Sequence, residues 1–164
     1  MSNYWRIPGI PHKGWELQGV IDLGEDGHIM WENDYETCMM CGNENIRYIH
    51  LVTHSEVQDE FRVGCVCAEK MTGDYNSPKR MENNLRNKST RRTNWVKANW
   101  QWSIKGNLFL KKGGHILTIF RDKKSNKFKC IMDKEFGSVV HRDIDAAKAA
   151  LFNKMEDMKE TGKW

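Results

Sequence analysis

Four of the five cysteines in this 164-residue chain crowd into one thirty-residue window as two close pairs, Cys38-Met-Met-Cys41-Gly and Cys65-Val-Cys67-Ala. Two residues between Cys38 and Cys41 let both sulfurs face one ion across a tight turn, and Gly42 relieves that turn's backbone. An odd cysteine count, in a chain whose opening MSNYWRIPGIPHKGW lacks the basic start and apolar stretch of an export signal, argues against a disulfide framework. The spacing predicts a zinc site made by Cys38, Cys41, Cys65 and Cys67. Four thiolates fill a tetrahedron and leave no position for water or substrate, so the Zn2+ is expected to be structural. His50 or His54 stays open as a substitute for one cysteine. Cys130 alternates with lysines and reads as a core residue.

The elements around these pairs must bring them together. Ile46 to Val52 and Phe61 to Val63 alternate well enough for a hairpin around a polar turn, Ser55 to Glu60. Ala68-Glu-Lys-Met then begins a short helix, with Cys67 at its N-terminus, where the dipole favours a thiolate. Knuckle, hairpin and helix in this order, with CxxCG followed by VGxxCA, resemble the treble-clef modules of small bacterial and phage proteins over residues 38–72. The resemblance implies a zinc site and no particular activity. The pair Cys65-x-Cys67 departs from the commoner CxxC second pair. Treble clefs also build HNH-type nucleases, in which a hairpin histidine activates water beside a divalent metal. Here Ile49 precedes His50 where those enzymes place an acidic or histidine side chain, and the helix after Cys67 lacks their asparagine. His50 shares a strand face with Tyr48 and Val52 and is expected to be hydrogen-bonded and half-buried.

Charge is segregated along the chain. Residues 1–37 carry two basic and seven acidic side chains, whereas residues 68–113 carry eleven and three. Ser77 as N-cap and Pro78 as first helical residue predict a helix over 77–99. From Lys79 to Lys112 the single acid is Glu82. Cations for phosphates, asparagines for hydrogen bonds and Trp95, Trp100 and Trp102 for stacking are what a nucleic-acid surface needs. Arg86, Lys88, Arg91, Arg92 and Lys97 are the expected phosphate contacts, Arg91 and Arg92 foremost because guanidinium binds phosphate bidentately. For the tryptophans the expectation is an inward turn that anchors the C-terminal part.

Residues 100–164 read as strands at Leu108 to Lys111, His115 to Arg121 and Lys127 to Met132, with Gly137 to His141 as a further candidate. A helix follows, capped by Asp143 and striped by Ile144, Ala147, Leu151, Met155 and Met158. A three-stranded sheet followed by one helix resembles the small domains that lay strands into a DNA groove, as in AP2-type and integrase arm-binding modules. By that resemblance Lys127 and Lys129 sit on the open sheet face. The expected fold is α+β: an N-terminal region with the zinc module (1–76), a basic helix (77–99) and an antiparallel β-β-β-α domain (100–164). No nucleophile elbow, P-loop or dinucleotide-binding glycine pattern occurs, and no catalytic residue is assigned. No run approaches the roughly 18 to 20 apolar residues of a membrane helix, so a cytoplasmic location is expected. These features together point to a zinc-stabilised accessory protein of a phage or mobile element that binds DNA or RNA. Two alternatives stand beside it: an inhibitor or adaptor that binds a protein through its acidic lead, and a degenerate HNH-like nuclease.

Overall fold

A computed structural model describes residues 3–164. The described residues form a mixed α+β fold with three α-helices and two antiparallel sheets, of three and five strands. The chain forms two compact units, Met1–Ser89 and Thr90–Trp164, and the sequence boundary between them falls inside a helix. No described helix is long and apolar enough to cross a membrane.

In the first unit, β1 (Glu16–Asp22), β2 (Tyr48–His54) and β3 (Val57–Val63) pair antiparallel in that order. The central strand is buried on both faces through Tyr48, Ile49, His50 and Val52. The β2–β3 turn is two residues long, His54 opposing Val57, which is shorter than the polar stretch 55–60 suggests. Gln58, Asp59 and Glu60 are exposed on β3, an edge strand that tolerates polar side chains facing water. Helix α1 (Cys65–Thr72) begins directly after β3 and ends at Gly73, whose N–H bonds the Glu69 carbonyl. Its Ala68 and Met71 pack with Trp15, Met40, Val52, Phe61 and Val63. Asp22 is buried at the end of β1, where its carboxylate accepts the Gly24 N–H and both Nε and an Nη of Arg47.

Helix α2 (Ser77–Val96) takes in Ser77 rather than using it as a cap. The Asp74 carboxylate instead accepts the N–H groups of Asn76 and Ser77, each at 2.9 Å. The helix stops three residues short of the expected 99. Trp95 and Trp100 both turn into the core of the second unit, and the Trp100 indole donates to the Trp95 carbonyl at 2.9 Å. A continuing helix would carry Trp100 away from that acceptor.

The second unit is a meander of β4 (Gln101–Trp102), β5 (Leu108–Lys112), β6 (His115–Arg121), β7 (Phe128–Met132) and β8 (Glu135–Phe136), followed by α3 (Ile144–Glu160). The three expected strands are therefore the centre of five. The two additions are two-residue edge strands, too short to leave a periodicity in the sequence. Gly137 to His141 is not a strand, although His141 bridges to Phe128. Gly113 and Gly114, at φ 59° and 80°, make the tight β5–β6 turn that needs two consecutive left-handed residues. Asp143 caps α3 by accepting the Ala146 N–H at 2.7 Å. Ala147, Leu151, Phe152 and Met155 of α3 cover Leu117, Ile119, Cys130 and Met132 on one sheet face.

Phe152 is the largest fully buried side chain here and meets Trp95 edge-on at 5.9 Å. Phe152→Ala is expected to cost the second unit about 3–5 kcal/mol. Hydrogen exchange at the Leu117 and Ile119 amides should then lose protection by a factor on the order of a hundred or more.

Candidate functional site

Three of the four clustered cysteines converge. The sulfurs of Cys38, Cys41 and Cys67 all lie within 4.8 Å of one another, a group that can hold a metal ion. The knuckle turn is closed by the Gly42 N–H on the Cys38 carbonyl at 2.9 Å, and Gly42 takes φ 81°, where a side chain would be strained. Main-chain bonds from Cys38 to Asn43 (2.7 Å) and from Met39 to the Arg62 carbonyl (2.9 Å) fix the knuckle and tie it to β3. Cys67 arrives from the other side in the first turn of α1, where unpaired helix N–H groups favour negative charge.

Electrostatics in the cluster suit a cation. Cys38 is buried, yet its thiol titrates well below the usual range, chiefly because Cys67 donates a hydrogen bond to it. The Cys41, Gly64 and Met40 N–H groups act in the same direction, Gly64 at 3.4 Å from the sulfur. Cys67 is pushed up by the same partnership and by burial, against the pull of the Trp5 indole N–H. Two sulfurs sharing a proton in a buried pocket, with a third beside them, form a donor set that fits a thiophilic divalent ion.

Cys65 is not brought into this group. Its thiol faces the Glu69 carboxylate, 3.4 Å away, and burial followed by that carboxylate pushes it up to about 12. The reason is helical geometry. Helix α1 begins at Cys65, after Gly64, and not at Ala68 as the sequence suggests. Residues two apart on a helix project about 200° from each other, so Cys65 and Cys67 cannot aim at one ion. The spacing itself held this signal once the helix start is known, since only i, i+3 or i, i+4 pairs share a helical face.

Neither histidine replaces it. His50 is fully buried, deeper than expected, with each ring nitrogen 3.2 Å from a main-chain carbonyl, of Tyr48 and of Pro78. His54 accepts the Glu56 N–H at Nδ1, and its Nε2 therefore donates to the Lys13 carbonyl at 3.1 Å. Among the described residues, no fourth His, Cys, Asp or Glu joins the three cysteines. The closed four-thiolate site expected from the sequence is thus a three-cysteine group. Cys130 is buried, as expected, and burial raises its thiol to about 11.

The basic residues separate into engaged and exposed sets. Arg92 is 3% exposed and belongs to the interior, which removes it from any surface contact with a phosphate. Arg91 holds Glu156 through Nε and an Nη at 3.3 and 3.0 Å. Arg86 lies 4.4 Å over the Tyr48 ring and 3.5 Å from Glu82. Lys88 is half-buried, and Lys97 is exposed. Lys127 is exposed beside β7, and Lys129 is half-buried with Asp122 3.9 Å away.

Sequence reasoning missed the company Lys129 keeps. Directly opposed residues on antiparallel strands share a face, and one row crosses all five strands: Gln101, Phe109, Thr118, Ile131, Phe136. Beside it lie the opposed pairs Phe120–Lys129 and Lys111–Ile116. This face is opposite the one covered by α3, and none of its nine residues is buried or acidic. Alternation through β7 placed Lys127, Lys129 and Ile131 on one face, but the register and β8 were needed to complete the pattern.

Comparison with known proteins finds no family model, curated protein or solved structure that matches this chain. Its chemistry is therefore read from its own geometry. Metal content of the purified protein tests the cysteine group: Cys38→Ser and Cys67→Ser are expected to lose the bound ion, and Cys65→Ser to retain one equivalent. Strong chelation should lower the melting temperature of the native chain and of Cys65→Ser alike, because ion binding contributes folding free energy directly.

Proposed function

We propose that this protein binds nucleic acid through its C-terminal unit, and that a zinc-held treble-clef arrangement gives the N-terminal unit its rigidity. The observation that carries this reading is charge segregation onto one unit. Residues 90–164 contain seventeen basic and eight acidic side chains, a net charge of +9. Residues 1–89 contain nine and fourteen, a net charge of −5. A field of that sign and density attracts a polyanion, most strongly where acids are absent, as on the open face of the five-stranded sheet.

Lys97, Lys111, Lys123, Lys124 and Lys127 are exposed cations of this unit. They supply the phosphate contacts that position a nucleic acid without reading its sequence. Arg86, Arg91 and Arg92 support the reading less than their sequence suggests, because each is engaged within its own unit or buried.

In the N-terminal unit, Cys38, Cys41 and Cys67 would hold the ion, with knuckle, hairpin and helix in treble-clef order. A bound Zn2+ would neutralise the converging thiolates and cross-link the knuckle to the start of α1. The N–H groups around Cys38 keep its sulfur ready for that role.

A salt titration tests the nucleic-acid reading. For about four phosphate contacts, affinity should fall on the order of a hundredfold between about 50 and 200 mM salt. Lys127→Ala/Lys129→Ala should weaken binding and flatten the log–log slope by about 1 to 2. Absence of binding to DNA and RNA at low salt would overturn the proposal and direct attention to an acidic protein partner.

A further inference from the structure

The open face of the five-stranded sheet carries more than charge. Three phenylalanines, Phe109, Phe120 and Phe136, stand on it from three different strands. Phe136 is 73% exposed, an unfavourable position for a large apolar ring unless something covers it. Phe120 and Phe136 meet edge-to-face, with centroids 6.1 Å apart and planes at 81°, so each orients the other. Cations flank them: Lys129 directly opposes Phe120, Lys111 lies two residues beyond Phe109, and Lys127 stands at the head of β7.

We infer that this face is a platform for unpaired nucleic acid, on which bases stack against Phe109, Phe120 and Phe136 while Lys111, Lys127 and Lys129 meet the phosphates. This rests on the nucleic-acid reading above and names its substrate class. The choice of occupant follows from chemistry. A duplex buries its base faces in its own stack, so it has nothing to offer an exposed phenyl ring and would only desolvate it against phosphate. A single strand presents both the aromatic base faces that the rings lack and the negative charge that the lysines lack. An apolar protein surface would cover the rings but desolvate three lysines, of which Lys129 alone has an acid, Asp122, near it. Phenylalanine has no hydrogen-bonding group, so the platform is tolerant of sequence.

From Phe109 to Phe136 the row spans three strand spacings, about 14 Å. That width admits a short run of nucleotides, with Thr118 and Ile131 as the floor between the outer rings. The Lys129–Asp122 approach, at 3.9 Å, is long enough for a phosphate to compete for the ammonium.

The test is fluorescence anisotropy of the full chain with labelled oligothymidylate, oligouridylate and a duplex, titrated over salt. Phe120→Leu and Phe136→Leu keep an apolar side chain and remove the ring. Phe136 is so exposed that its substitution cannot disturb the core, which keeps the test independent of folding. The expected result is tighter binding to single strands than to the duplex. Each leucine variant should weaken single-strand binding by roughly tenfold with the salt slope unchanged, since stacking releases no counterions. Duplex preferred over single strands, or leucine variants that bind as the native chain does, would overturn the platform while leaving phosphate binding by this unit in place. Failure of every nucleic acid to bind would overturn both, and a protein would then be sought for the same face.

Discussion

Three sulfurs within 4.8 Å of one another, two of them buried, cannot all carry charge without a cation between them. That constraint governs the point where the knuckle meets the start of α1. Cys38 is surrounded by N–H donors that favour its thiolate, and Cys67 sits in the first turn of a helix that favours negative charge at the same point. Left to protons alone, the pair shares one, Cys38 lowered and Cys67 raised. A divalent ion held by the three sulfurs would resolve the conflict by taking the proton's place. The elements that meet at the cluster are also tied by main-chain bonds (the Tyr4 N–H to Met40, Met39 to Arg62, Trp15 to Met71), by the bidentate Arg62–Glu36 pair and by apolar packing around Trp15, Met40 and Phe61.

The second unit is built differently. Its stability comes from an apolar layer between α3 and one face of the sheet, with Trp95 and Trp100 folded into that layer and their indole N–H groups satisfied by main-chain carbonyls. Because one helix covers one face, the other face is left to solvent, and its composition is then informative. It carries rings and lysines and no acids, whereas the acids of this unit lie in turns, on α3 and, as Glu135, on β8 opposite Met132; Asp122, Asp133, Asp143 and Glu156 bond neighbouring groups. The two units also differ in charge: residues 1–89 carry an excess of acids and residues 90–164 an excess of bases.

Much of this was legible before folding. The knuckle follows from Cys38, Cys41 and Gly42, the hairpin from alternation in 46–52 and 61–63, β6 from its β-branched apolar run, β7 from its alternation, and α3 from its stripe and its Asp143 cap. Local rules suffice for such elements because a turn, a cap or a period of two is decided by residues adjacent in the chain. The burial of Cys130 was also readable, and of the three tryptophans expected to turn inward Trp95 and Trp100 do so, whereas Trp102, on the two-residue edge strand β4, is exposed.

What the sequence by itself determined, then, is the set of elements and the chemistry each carries: thiols at a knuckle, a basic stretch, an alternating sheet. Tertiary structure alone decided which of those groups act together. Starting α1 at Cys65 turned one thiol about 200° from its neighbour and reduced four expected ligands to three. Packing put Arg92 inside and gave the exposed Arg91 to Glu156, so of the two strongest phosphate candidates one is buried and the other is already paired. Strand register gathered Phe109, Phe120 and Phe136 from separate segments onto one face. In each case the deciding quantity is the direction of a side chain, and direction depends on helix phase and strand pairing, which are fixed by contacts between residues distant in the chain.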